Sequence, residues 1–267
     1  MSSARAVAVI GAGPAGLAAA RWLAAQGFEP VLLEASGGVG GQWRATNPMS
    51  GVWFDMRTNT SRLVTRFSDL DYPPGTAMFP HNREVLAYLE AYAAQFGLDR
   101  RLRTGCEVER LERTPDGWRL QWREAGGVGS ESFARVVVAS GRYNHPAVPA
   151  IDGLDGFAGP GGVVHTFDYC DPAAYRDQRV LVAGGAISAL EVASDIALAE
   201  AARVTVACRR QRYVMPKLTV MVMPMRPSAR EISGVRAKVM KVTTDTAAMA
   251  AKPASRPAGP SDLASPA

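Results

Sequence analysis

Ala6-Val7-Ala8-Val9-Ile10 is a short apolar run that feeds directly into Gly11-Ala12-Gly13-Pro14-Ala15-Gly16, a G-x-G-x-x-G pattern that opens an alanine-rich stretch. A chain that begins this way has few folds open to it. Glycine at 11 makes the tight turn out of a strand. Glycine at 13 lets backbone approach a pyrophosphate with no Cβ in the way, and glycine at 16 lets the helix lie close on the sheet. With Pro14 and Ala15 as its first positions, that helix turns its free N–H groups and the positive end of its dipole toward the phosphates. Glu34 ends the next apolar run, eighteen residues after Gly16, where it can accept hydrogen bonds from a ribose 2′-hydroxyl. A lone G-x-G-x-x-G arises by chance in Ala/Gly-rich helix starts, but strand, glycines, helix, strand and acid together are specific. Arg5 and the apolar stretch after it superficially resemble a signal peptide; Gly13-Pro14-Ala15-Gly16 would break such a helix, and the acid would be left unexplained. Residues 6–34 are expected to bind a dinucleotide.

The chain has 267 residues, enough for one large domain or two modest ones, and its apolar content of 47% is ordinary for a globular protein. No run of eighteen apolar residues free of turn signals is present, so no membrane span is expected. The cysteines Cys106, Cys170 and Cys208 are far apart and odd in number, which suits a reducing cytoplasm and offers no metal-ligand spacing. The net charge of +5 is unevenly spread: residues 205–267 hold 11 Lys+Arg against 3 Asp+Glu, leaving 19 against 22 in the rest. The basic excess therefore lies in the last quarter, and it reads as a solvated tail rather than a nucleic-acid surface.

After Glu34 the run Gly37-Gly38-Val39-Gly40-Gly41-Gln42-Trp43 combines backbone freedom with a flat apolar ring. Residues 44–80 are polar and punctuated by proline, the pattern of a long ordered loop, and such loops usually carry function. Val85, Leu86, Leu89, Tyr92, Ala93 and Phe96 form a helical stripe over Arg83–Phe96 that ends at Gly97, with Tyr88 and Tyr92 expected to pack rather than to touch a ligand. Glu107–Leu111 and Gly117–Trp122 alternate about a Pro115-Asp116-Gly117 turn, which predicts a small antiparallel meander with Trp118, Leu120 and Trp122 on one face. Arg135–Tyr143 reads as a buried strand that ends in small residues.

Gly11–Gly16, Gly40-Gly41-Gln42-Trp43, Thr58-Asn59-Thr60 and Phe67-Ser68-Asp69 together resemble the flavin-containing monooxygenases. The resemblance implies an α/β fold of two-dinucleotide-binding, Rossmann-like architecture with FAD at the first site. It places Glu34 on the adenosine ribose, Gly41, Gln42 and Trp43 along the cofactor, and Asn59 beside the flavin as the residue nearest the chemistry. Ala139-Ser140-Gly141 resembles the A-T-G stretch that closes the first FAD-contacting segment, with serine for threonine. Phe157 to Tyr169 resembles the linker fingerprint F-x-G-x-x-x-H-x-x-x-Y, but Phe157 lies two residues too far upstream. His165 is then a linker residue, an interface histidine or a functional one.

Arg179–Ala189 is a second strand-turn-helix unit, with the helix expected over Ile187–Leu198 and the next strand over Arg203–Ala207. It resembles the nicotinamide-nucleotide motif G-x-G-x-S-A/G through Gly184 and Ser188, with Ala186 at the second glycine. The strand ends in Cys208-Arg209-Arg210 where an acid would select NADH. Arginines suit a 2′-phosphate, so NADP(H) is preferred. The expected organisation is an FAD-binding segment over 1–150, a partial NADP-binding domain over 151–217, and an irregular, disordered tail over 218–267. The resemblance is expected to stop near Lys217, as in a truncated or frame-shifted gene.

By this resemblance, NADPH reduces FAD, O2 adds as a flavin C4a-hydroperoxide, and one oxygen passes to a small-molecule soft nucleophile, an amine or a sulfide. A Baeyer–Villiger reaction on ketones is the alternative among enzymes, with Tyr169 standing where those enzymes usually show tryptophan. A flavin disulfide reductase would need a cysteine pair that the sequence lacks. The alternative from another class is a non-catalytic flavin-binding remnant.

Overall fold

The computed structural model describes residues 4–143 and 145–210. The expected tail over 218–267 lies outside the described residues. Chain order gives β1 (Ala6–Ile10), α1 (Pro14–Ala25), β2 (Glu29–Leu33), the single turn α2 (Arg62–Thr65), α3 (Asn82–Gln95) and β3 (Leu102–Arg103). There follow β4 (Glu107–Thr114), β5 (Gly117–Glu124), β6 (Gly127–Phe133), β7 (Arg135–Val138), β8 (Arg179–Ala183), α4 (Ile187–Leu198) and β9 (Arg203–Ala207). Among the described residues no helix is long and apolar enough to cross a membrane.

The first body is a parallel sheet of order β3-β2-β1-β7 with a different layer on each face. Period-two alternation decides which side chain goes where. Val9, Leu32 and Val137 face α1 and α3, where they pack with Leu17, Ala20, Leu89 and Tyr92. Ala8, Ile10, Leu33 and Val136 face the meander β4-β5-β6 and meet Leu120, Trp122 and Phe133. Parallel strands buried on both faces read as continuous apolar runs, as β1 does. The meander has Leu120 and Trp122 buried with Trp118 beside them, as expected, but it gains a third strand. β6 was not legible because Gly127-Val128-Gly129-Ser130-Glu131-Ser132 has no apolar alternation; its pairing with β5 recruits it. β7 stops at Val138 rather than running on to Tyr143, and as the edge strand of the sheet it is not buried as expected, with Val138 exposed.

α3 begins one residue earlier than the stripe suggests, because His81 caps it: the His81 side chain accepts from the Arg83 amide, and Glu84 accepts from the His81 amide at 2.8 Å. This is a capping box with histidine in the hydroxyl's place. Gly97 ends the helix at φ +61°. Tyr88 and Tyr92 pack, as expected. Tyr72 stacks on Tyr88 at 4.0 Å and Phe67 lies 4.2 Å from Tyr92. The Tyr88 hydroxyl accepts from the Phe67 amide (2.7 Å) and donates to the Leu70 carbonyl (2.8 Å). The Tyr92 hydroxyl donates to Asp69, which pairs with Arg21 of α1 at 3.2 Å. Burial and the Asp69 carboxylate push the Tyr92 phenol well above its ordinary range, so it stays a donor. Phe67-Ser68-Asp69 is thus a latch that fastens the long loop to both helices.

The second body is the parallel pair β8-β9 with α4 on one face. α4 and β9 have the bounds expected from sequence. The other face of β8 leaves Leu181 exposed. Trp53 and Tyr169 join the bodies edge to face at 5.8 Å, and the Tyr169 hydroxyl donates to Asp195 of α4 at 2.7 Å. His165 takes part in a local turn, its Nδ1 accepting from the Phe167 amide at 3.0 Å.

Cys106 is buried while Cys170 and Cys208 are exposed, and desolvation, reinforced by Glu124, raises the Cys106 thiol's pKa. The thiolate is the reacting form. Neutral-pH alkylation followed by mass spectrometry is expected to modify Cys170 and Cys208 readily and Cys106 only after unfolding.

Candidate functional site

The turn from β1 to α1 is built on two glycines that nothing larger can replace. Gly11 sits at φ +98°, donates its amide to the Leu33 carbonyl at 2.8 Å, and would carry any Cβ to 2.5 Å from the Ala139 carbonyl oxygen. A Cβ on Gly16 would lie well inside van der Waals contact of the Gly11 carbonyl. Gly13 is extended (φ −72°), no side chain caps α1, and Pro14 occupies its first turn with Ala15 exposed beside it. The α1 start is therefore left for a ligand's oxygens, the arrangement that suits a phosphate.

Three segments close around this turn. Glu34 is only 5% exposed; its Oε2 accepts from the Ala12 amide at 2.7 Å and its Oε1 from the Ser36 amide and hydroxyl at 2.9 and 2.7 Å. A carboxylate has about four acceptor sites, so three of them are taken by the protein and one remains. The glycine-rich segment then folds over the turn: the Gly40 amide donates to the Ala12 carbonyl at 3.0 Å, and a Cβ on Gly41 would reach 3.0 Å from the Gly13 Cα. Gly13 and Gly41 meet backbone to backbone, so the cradle at the α1 start is walled by bare main chain. Gln42 is exposed, and Trp43 packs partly on the core from the single 3-10 turn Gly41–Trp43. Ala139 donates to Ile10 at 2.8 Å, which brings Ser140 beside Gly11.

The sequence reading missed the residues that hold this cradle. The Arg44 Nε donates to the Val39 carbonyl at 2.8 Å and its Nη2 pairs with Glu90 of α3 at 2.7 Å. The Asn47 amide donates to the Gly41 carbonyl at 3.1 Å. A basic and an amide side chain just after a glycine run were the available signal, but their partners lie up to 46 residues away.

Asn59 is exposed on its own loop, tied to α3 rather than to the phosphate turn. On either side of it, the Thr58 and Ser61 hydroxyls are buried and, among the described residues, lack a hydrogen-bond partner. Buried hydroxyls without partners are costly unless a ligand completes them.

The second unit repeats the first with the same spacing, Gly184, Ala186 and Ala189 standing where Gly11, Gly13 and Gly16 stand. Gly184 has φ +145° and its amide donates to the Ala207 carbonyl at 2.8 Å, as Gly11 does to Leu33. Ala186 caps α4 with extended dihedrals (φ −93°, ψ 177°) like those of Gly13 (φ −72°, ψ −175°), so alanine is conformationally at ease there and differs from glycine only by its methyl. At the place of Gly16 stands Ala189, whose Cβ is 3.1 Å from the position a Cβ on Gly184 would take. Ser188 is exposed in the first turn of α4. Cys208 takes Glu34's place, its Cβ 2.9 Å from where a Cβ on Gly185 would sit, and Arg209 and Arg210 follow it fully at the surface.

Two strand-glycine-helix units, the first roofed by a second glycine segment, define a two-dinucleotide flavoprotein-type fold. Residues 4–228 match the flavin-binding monooxygenase-like (FMO-like) family, reaching past Lys217, where the resemblance was expected to stop. The chain belongs to that family. It is 35% identical over 214 residues to flavin-containing monooxygenase FMO GS-OX2 of Arabidopsis thaliana, a match that covers 72% of this chain and 46% of that protein. The structure of S-allyl-L-cysteine S-oxygenase from Allium sativum superimposes with a TM-score of 0.70 at 33% identity, covering 79% of this chain and 52% of that one. The closed structure of cyclohexanone monooxygenase superimposes with a TM-score of 0.61 at 27% identity, over 79% of this chain and 39% of that one. The chain spans about half the length of the curated relatives it matches.

Proposed function

We propose that this chain provides the FAD cradle and the first part of an NADPH site for a cytoplasmic monooxygenase that places one oxygen atom on a soft nucleophile, a sulfide before an amine. The observation that supports this most is the pairing of a glycine-lined cradle and acid with a second unit that ends in Cys208-Arg209-Arg210. When bound, FAD would supply hydride acceptance from NADPH and activation of O2. One NADPH, one proton, one O2 and one sulfide give NADP+, water and the sulfoxide, so atoms and electrons balance. Sulfur is put first because S-allyl-L-cysteine S-oxygenase is 33% identical to this chain, while cyclohexanone monooxygenase is 27% identical.

The residues of this chain bind and orient. Glu34 holds the adenosine ribose, the α1 start and the Gly13–Gly41 cradle take the pyrophosphate, and Ser140 flanks it. Gln42, Trp43 and Asn59 position the flavin. Gly184 and Ser188 take the nicotinamide dinucleotide, and Arg209 and Arg210 take its 2′-phosphate. A carboxylate at 208 would repel that phosphate, and the small neutral Cys208 leaves room for it.

Incubating the full chain with FAD, NADPH, labelled ¹⁸O2 and an organic sulfide tests the reading: one labelled oxygen in the sulfoxide supports it, and unlabelled product or none contradicts it. In a nucleotide titration, Arg209→Ala with Arg210→Ala is expected to weaken NADPH about tenfold or more, from the loss of charge-assisted hydrogen bonds, and to leave NADH unchanged.

A further inference from the structure

The loop that carries Asn59 is bound to the start of α3 along its length. The Thr58 amide donates to Pro80 at 2.9 Å, the Arg62 amide to Met78 at 2.8 Å, and the Asn82 amide to Met56 at 2.8 Å. Arg57 and His81 form an antiparallel bridge. Two side chains complete the seam. The Asn82 Nδ2 donates to the Trp53 carbonyl at 2.6 Å and to the Phe54 carbonyl at 3.1 Å. His81, 3% exposed, meets the Asp55 carboxylate through Nε2 at 3.2 Å.

The chemistry fixes the roles. Two carbonyls can only accept, so the Asn82 amide must turn its NH2 to them. Its reach is not needed for the helix, since His81 and Glu84 already cap α3. The His81 Nδ1 is occupied as an acceptor by the Arg83 amide, so its Nε2 carries the proton toward Asp55. Further along, the same helix holds the cradle through Glu90 and Arg44. α3 is therefore a bracket between the Gly41-Gln42-Trp43 turn and the Asn59 loop.

We propose that Asn82, seconded by His81, is a positioning residue: it holds the 53–58 segment of the loop so that Asn59 and the Thr58 and Ser61 hydroxyls, unpartnered among the described residues, keep their place toward FAD. This rests on the reading of Asn59 as a cofactor-facing residue. The two ideas fail separately under the right experiment.

The seam is read by hydrogen exchange on the full chain, without cofactor. In Asn82→Asp, which keeps shape but loses both donations, the Thr58 and Arg62 amides are expected to exchange at least tenfold faster while Leu89 and Tyr92 in α3 are unchanged. Equal acceleration throughout α3, or none at 58 and 62, overturns the proposal. The consequence is read by quenching of FAD fluorescence. Asn59→Ala and Asn82→Asp are each expected to weaken FAD about five- to tenfold, the size of one lost hydrogen bond, and the double variant to be no weaker than the worse single. Multiplying effects overturn the positioning role. An effect of Asn59→Ala without one of Asn82→Asp overturns it as well, and leaves the Asn59 reading standing. No effect of Asn59→Ala overturns that reading itself. Asp55→Ala, at a carboxylate 57% exposed, removes only the His81 contact and should act in the same direction with smaller size should Asn82→Asp not fold.

Discussion

Gly16→Ala is expected to eliminate FAD binding and to lower the melting temperature by several degrees. The added methyl would collide with the Gly11 carbonyl, which is backbone and cannot rotate away, so α1 must lift from the turn. Overpacking of this kind costs about 1–3 kcal/mol and sometimes more, and about 2–4 °C accompany each kcal/mol in a chain of this size. The lift also withdraws the α1 start from the cradle opposite Gly41, so the loss of binding exceeds the loss of stability. Gly37→Ala is the matched control, because nothing lies within 4 Å of its added Cβ. Thermal unfolding and flavin retention measured on both variants check the contrast.

Glu34→Ala is expected to cost about 2–3 kcal/mol of stability and to weaken FAD ten- to hundredfold. The carboxylate accepts from Ala12 and twice from Ser36 in a buried setting, and its removal leaves the Ala12 amide without an acceptor beneath the cradle. Glu34→Gln separates the roles. It keeps one acceptor oxygen, so it should retain more stability than alanine, yet its NH2 must face either Ala12 or Ser36. Denaturant unfolding with flavin titration distinguishes the two variants.

The local patterns of the sequence carried far. β1, α1, β2 and α4 were legible because each couples a period to a punctuating glycine or proline, β9 because a short apolar run follows α4, and the acid at 34 stands at the end of a strand whatever the rest of the fold does. β6 was not legible: its polar, glycine-containing run is a strand only because β5 pairs with it. In the candidate site, the glycines and Glu34 came directly from spacing. The supports did not. Arg44–Glu90 and Asn82–Trp53 close across 46 and 29 residues, and nothing local in either partner marks the other. Phe67-Ser68-Asp69 was legible as a motif but not as a latch, because its purpose lies in Tyr88, Tyr92 and Arg21. Alanine at 186 puts a methyl where the motif has its second glycine. Its extended backbone shows that the methyl, not the conformation, is the only departure.

The central claim is that the first 150 residues build an FAD cradle around Gly13, Glu34 and Gly41. The most direct measurement is a titration of the purified full chain with FAD, followed by visible absorption and flavin fluorescence after gel filtration. The account predicts a yellow protein that carries one FAD per chain with its fluorescence quenched. A colourless protein whose added FAD elutes free and fully fluorescent would contradict it.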